Sequence, residues 1–234
     1  MSRMTGSRAA CTVDTSASRP TWFAPSLPWL LGPLLGAVVV AGASRSDRLY
    51  RFLVREDAVL EWTQVVAYLS IVAVAIVAVP RLWRSGERLS AAVVIGLAVA
   101  SLVITGEELS WGQRLIGFET PGIAASNVQG ELTLHNDERL EESTRRGLLV
   151  LGGYGLLAPL LAHRRTPLVP PRALASFFAV VVAYYALRVL FLEAPTYVQA
   201  KYSEWPETCL ALALALWCAD ISSARRGSAS RSPA

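Results

Sequence analysis

The sequence predicts an all-α protein, a polytopic integral membrane bundle of about six transmembrane helices. Three observations predict it. Apolar residues gather into blocks of the length that crosses about 30 Å of hydrocarbon, roughly 20 residues per helical span. The charges lie almost wholly between those blocks. No alternating strand pattern intervenes, and an open sheet could not satisfy its backbone in lipid. The apolar share itself is only modestly high, 53% of 234 residues, against roughly 45–50% in soluble domains. Arrangement, not amount, carries the prediction.

Taken in order, residues 1–26 are rich in Ser, Thr, Arg and Gly and read as a disordered tail. The membrane domain covers 27–222, with spans near 27–43, 57–79, 89–109, 147–162, 173–192 and 203–221. The first block, "LPWLLGPLLGAVVVAGA", ends in Ala41-Gly42-Ala43, which resembles a signal-peptidase site. The long polar stretch before it is atypical of a signal peptide, so it is read as an uncleaved helix. A loop at 110–146 joins the third and fourth spans, and 223–234 reads as a second disordered tail. "LLGPLLG" and "LGGYG" lie within spans and read as helix-packing surfaces. Cys209 and Cys218 fall in the last span as small apolar residues; with Cys11 they are too scattered for a disulfide framework.

Orientation follows from arginines in short loops. Arg81, Arg84 and Arg88, then Arg164, Arg165 and Arg172, then Arg225, Arg226 and Arg231 share one side, which should be cytoplasmic with both termini. The opposing signal is "SRSDRLYRFLVRED", with four Arg on the other side. A plasma-membrane location, with cell inner membrane as the finer expectation, accompanies this reading. The net charge of +4 does not point to nucleic acid, because all basic residues but Lys201 are Arg spread over short loops.

The acids are lopsided. Only Asp14, Glu87 and Asp220 lie on the inner side; the other 15 of 18 lie on the outer side. Asp57, Glu61, Gln64 and Tyr68 are spaced four, three and four apart, so they share one helical face. Ser101, Thr105 and Glu108 form a similar row, as do Tyr184 with Arg188, and Lys201 with Glu204 and Glu207. Ionised side chains cost about 2.5–3.5 kcal/mol or more at mid-span in lipid. Polar stripes on several spans should therefore face one another around a cavity open to the outer side.

Simpler roles are available to some of these residues. Glu56, Asp57, Glu204 and Glu207 begin helices, where a carboxylate complements the dipole by about 0.3–1 kcal/mol. Glu107 and Glu108 end theirs, where negative charge opposes it. They also repel each other unless a proton or cation intervenes. Arg188 is the structural counter-charge at about the right depth. His163 begins an Arg-rich inner loop and reads as solvated, whereas His135, in "GELTLHND", is a candidate ligand or general base. Trp111 and Trp205 are explained by an interfacial aromatic belt.

One histidine among many carboxylates suits Mg²⁺, Mn²⁺ or Ca²⁺ better than zinc. The metal set is Glu61, Glu108 and His135, with Asp57, Glu204 and Glu207 as further candidates. Glu107, Glu131 and His135 are the candidate acid/base groups; Arg114, Arg188, Gln113 and Asn136 are candidates for holding substrate. There is no HExxH, CxxC, GxSxG, Walker loop or dinucleotide fingerprint.

"GEELSWGQRLIGFETP" (106–121) and "NVQGELTLHN" (127–136) resemble a signature of uncharacterised bacterial multi-pass membrane proteins, in which E-E-x-S-W-G-Q-R precedes Q-G-E-x-x-L-H-N. The resemblance covers 26 of 234 residues. It implies that Glu107, Glu108, Trp111, Gln113, Arg114, Gln129, Glu131, His135 and Asn136 form one functional unit, and it implies no activity. A likeness of theme only is to membrane hydrolases of the alkaline-ceramidase type, which bury a metal among helix ends using several histidines that this chain lacks.

Three functions fit this pattern. The first is a divalent-metal-dependent hydrolase or transferase acting on a lipid or lipid-linked substrate, the metal polarising an ester, amide or phosphoryl oxygen. The second is an ion- or proton-coupled transporter using Glu61, Glu108 and Arg188. Inner halves such as "SIVAVAIVAV" and "LALALALW" offer it no polar path. The third is a structural or assembly subunit.

Overall fold

The computed structural model describes residues 27–43, 45–54, 58–116, 138–162, 166–191 and 202–223, and among them every regular element is a helix. Each apolar block coincides with one. In chain order these are α1 (Leu27–Ala43), a short α2 (Asp47–Leu53), α3 (Val59–Arg84), α4 (Arg88–Glu108), a short α5 (Gln113–Ile116), α6 (Glu138–Leu161), α7 (Ala175–Phe191) and α8 (Glu204–Ser223). Single 3₁₀ turns at Ser110–Gly112 and Arg172–Leu174 lead into α5 and α7.

Three helical stretches are long and apolar enough to cross a membrane: Val59–Arg84, Arg88–Glu108 and Arg172–Leu190. The others fall short for visible reasons. α1 has 17 residues. α6 opens with the charged run "ERLEESTRR". α8 carries Glu204, Glu207 and Asp220.

Two boundaries differ from the expectation. Residues 138–146, expected in the loop, form the first turns of α6. Glu142 holds Arg146 at 2.8 Å and Arg145 at 3.5 Å, the i,i+4 and i,i+3 pairs that support a polar helix. α3 continues beyond the second block through Pro80 to Arg84.

The outer surface is apolar, unlike that of a soluble bundle. Ile76, Val66, Val150 and Leu190 are 64–72% exposed on the outside, while Gln64 and Tyr68 are only 1% and 2% exposed inside. An apolar outer surface around a core that keeps several polar side chains buried suits a helix bundle in lipid. α8 is central and packs on α1, α3, α4 and α7; α3 pairs most extensively with α4, and α6 with α7.

Small residues permit these approaches. Gly155 lies against the Phe178 ring and Gly152 against Val181, so α6 and α7 meet closely. Gly36 in α1 receives the Trp205 ring, and the Trp205 indole nitrogen donates to the Pro33 carbonyl at 2.9 Å. Trp205 therefore bolts α8 to α1, a more specific role than an interfacial belt. Cys209 and Cys218 are buried among apolar neighbours.

Candidate functional site

The polar stripes meet at one end of the bundle, where α3 and α8 begin and α4 and α7 end. From α3 come Glu61, Gln64 and Tyr68, all buried; from α4 come Ser101, Thr105 and Glu107, buried, with Glu108 half-buried. α7 contributes Tyr185 and Arg188, buried, and Tyr184, half-buried. α8 contributes Glu204 and Glu207, half-buried, and Thr208, buried. Helical periodicity puts each set on its inward face, and close contact of α3, α4 and α7 with α8 brings them together.

The carboxylates are held by specific donors. The Gln64 amide donates to the Glu204 carbonyl at 3.2 Å and to Glu204 Oε2 at 3.1 Å, bridging α3 to α8. Thr208 also donates to the Glu204 carbonyl, one turn back. The Tyr185 hydroxyl donates to Glu207 Oε1 at 2.5 Å, bridging α7 to α8. The Tyr68 phenol lies within electrostatic reach of both Glu108 and Glu207, so α4 and α8 converge on the α3 stripe. This is a connected polar layer.

The segment "GEELSWG" has a distinct geometry. Ser110 and Trp111 take φ of 48° and 51°, followed by Gly112 at 86°. Left-handed backbone at a non-glycine residue costs of order 1–3 kcal/mol and persists only where surroundings enforce it. Here the reversal folds Trp111 back onto its own helix. Its indole nitrogen donates to Glu107 Oε1 at 2.7 Å, and its ring covers Gly106, where a Cβ would stand 2.9 Å away. Trp111, 48% exposed, thus also clamps a carboxylate, which the belt reading did not anticipate. Gln113 follows at the start of α5, half-buried.

Arg188 is 5% exposed. It lies in the last turn of α7, where a cation complements the helix dipole. The Tyr184 phenol, one turn earlier, lies within electrostatic reach of Arg188, Glu207 and Arg145. Arg188 Nε and Nη1 have no hydrogen-bond partner. The anticipated pairing of Arg188 with Glu107 or Glu108 is not among the ion pairs of the described residues.

Glu56, Asp57, Gln129, Glu131, His135, Asn136, His163, Glu193 and Lys201 lie outside the described residues, as does the side chain of Arg114. The metal set is therefore represented here by Glu61, Glu108, Glu204 and Glu207. Among the described residues no three His, Cys, Asp or Glu side chains group closely enough to hold a metal ion. A divalent ion in this layer would need His135 or Asp57 to join them.

Sequence reasoning passed over Tyr185, Thr208 and the Trp111 clamp. Signals were present: Tyr185 is three residues from Arg188, Thr208 is four from Glu204, and Trp111 is four from Glu107. A shallow groove of about 590 Å³, lined by Arg51, Phe52, Trp62 and Val66, lies on the opposite face of α3 and is separate from the layer.

No family model, curated protein or solved structure matches the chain.

Proposed function

We propose that the chain is a six-span plasma-membrane protein whose polar layer opens to the extracytoplasmic face and binds a lipid or lipid-linked substrate. In this reading α1, α3, α4, α6, α7 and α8 are the spans, and both termini are cytoplasmic. The chemistry proposed is hydrolysis or transfer assisted by a divalent cation. Glu61, Glu108 and His135 would hold the cation, with Asp57, Glu204 and Glu207 as further ligands. Glu107, Glu131 and His135 would handle protons, and Arg114, Arg188, Gln113 and Asn136 would hold the substrate.

One observation supports this reading above the others: among the described residues, the polar layer gives way to an apolar stretch. Beyond it the interior is Ile71, Ala75, Ala78, Val94, Leu214, Trp217 and Cys218, all buried and apolar. Between Thr208 and Asp220 on α8 this plug spans about 18 Å at 1.5 Å per residue. A carrier needs polar contacts on both sides of its site, whereas a binding or catalytic site for an outer-leaflet molecule needs them on one. Within such a site, paired carboxylates serve general acid/base chemistry, and an added cation would act as a Lewis acid.

The test is metal content by mass spectrometry of detergent-purified wild type beside Glu108→Gln. About one divalent ion per chain, lost in the variant, supports the metalloenzyme and directs substrate screening to lipid hydrolysis and transfer. No metal in either protein, with the variant still folded, refutes the metal-dependent reading.

A further inference from the structure

The groove of about 590 Å³ between α2 and the start of α3 joins an apolar floor to a basic edge. Val59, Trp62 and Val66 recur at three- and four-residue spacing, so they form one exposed stripe on α3. Between Val59 and Val66 that stripe runs about 10 Å along the helix at 1.5 Å per residue. Thr63 lies in the same wall, and its hydroxyl is already spent on the Val59 carbonyl at 2.7 Å. The facing wall is Phe52 and Arg51 of α2. Val54, at the end of α2, is fully buried and packs with Val40 and Leu60, which fixes α2 to the bundle with Leu49 and Phe52 left exposed. Arg51 Nε donates to the Asp47 carbonyl at 3.2 Å, steadying its guanidinium at the groove. Arg45 and Arg48 are exposed beside it, and residues 45–53 hold these three arginines against one acid, Asp47.

We propose that this groove docks an anionic phospholipid, with one acyl chain along Val59, Trp62 and Val66 and the headgroup phosphate on Arg51, flanked by Arg48. Charge complementarity selects the headgroup, because guanidinium N–H groups match phosphate oxygens and basic residues at a membrane surface attract anionic lipid. The shallow shape selects an acyl chain: it covers one side of its occupant, and lipid covers the other. A second copy docked on the same patch about a two-fold axis would set Arg51 against Arg51, a like-charge contact. In the six-span arrangement these arginines lie on the side where retention of cytoplasmic charge does not account for them. The site is separate from the polar layer and needs neither a metal nor turnover.

The experiment is native mass spectrometry of the full-length chain in neutral detergent micelles doped with phosphatidylglycerol or phosphatidylcholine, counting retained lipid. Wild type should retain phosphatidylglycerol in preference. Arg51→Gln should bind it about fivefold more weakly. Val66→Trp fills the groove without changing charge and should weaken retention at least as much. Arg84→Gln, an exposed arginine at the far end of α3, should change nothing. Arg51 and Val66 are both exposed, so neither substitution disturbs the core. Equal retention of the two lipids by wild type, or equal effects of Arg51→Gln and Arg84→Gln, overturns the proposal. Unaltered retention in Val66→Trp also overturns it, leaving charge attraction without the groove. A lipid-free dimer that Val66→Trp dissociates overturns it in favour of a second copy. Glu108→Gln should retain lipid as wild type does, so failure of the metal reading and failure of this one are separable.

Discussion

The Trp111 indole nitrogen donates to Glu107 Oε1 at 2.7 Å across a backbone reversal in which Ser110 and Trp111 both adopt positive φ. The turn thus brings a donor to a carboxylate that sits, unfavourably, at the C-terminal end of its helix. Glycine at 106 is part of the same device, because the indole ring occupies the place a Cβ would need.

Trp111→Phe keeps an aromatic, though smaller, ring and removes the donor. A hydrogen bond to a charged group contributes about 1.5–3 kcal/mol, so the variant should unfold at lower temperature by a corresponding amount. Differential scanning fluorimetry in detergent measures it, and an unchanged midpoint would refute the clamp.

Gly106→Ala attacks the same contact from the other side. The new methyl stands 2.9 Å from the ring, so the indole must move and lengthen its bond to Glu107. The expected loss is about 1–3 kcal/mol from overpacking, accompanied by a change in tryptophan emission.

The α6–α7 seam gives a paired prediction. At Gly155 an alanine methyl runs into the Phe178 ring, whereas at Gly153 nothing lies within 4 Å. Gly155→Ala should cost about 1–3 kcal/mol. Gly153→Ala should be neutral or gain up to about 1 kcal/mol from helix propensity. Equal effects at both positions would refute the packing.

Gln64→Leu removes the donor that ties α3 to Glu204 on α8. Hydrogen bonds between membrane helices contribute about 0.6 kcal/mol on average and up to about 1.7 kcal/mol. Because one amide serves two Glu204 oxygens, the loss should lie toward the upper end, read as a lower unfolding midpoint.

Topology can be checked with single cysteines in a variant lacking Cys11, Cys209 and Cys218. Six spans place Arg45→Cys outside and Ser85→Cys and Thr166→Cys inside. A membrane-impermeant thiol reagent should label only the first in intact cells and all three after lysis. Labelling of Ser85→Cys before lysis would reverse the orientation.

The inward stripes are legible in the sequence because Glu61, Gln64 and Tyr68 repeat at helical spacing, and a polar row within an apolar block has only one inexpensive direction to face. The apolar blocks are legible for the same reason. The reversal at Ser110 and Trp111 is not, since neither residue type favours positive φ; what accompanies it is contact of the indole with Gly106, five residues earlier. The first turns of α6 escape a reading based on hydropathy, although the spacing of Glu142 with Arg145 and Arg146 marks them as helical. Trp205 is a similar case, because its partner Pro33 is 172 residues away in the chain and no local pattern announces it.

The apolar plug beyond Thr208 has an electrical meaning. In an energised membrane the potential falls across the low-dielectric stretch, and a charge crossing it gains or loses about 2.3 kcal/mol per 100 mV. On the proposed reading, charges in the polar layer sit at one end of that stretch, near the potential of the one aqueous phase to which the layer opens. Ligand and proton occupancy there should follow the composition of that phase and be insensitive to voltage.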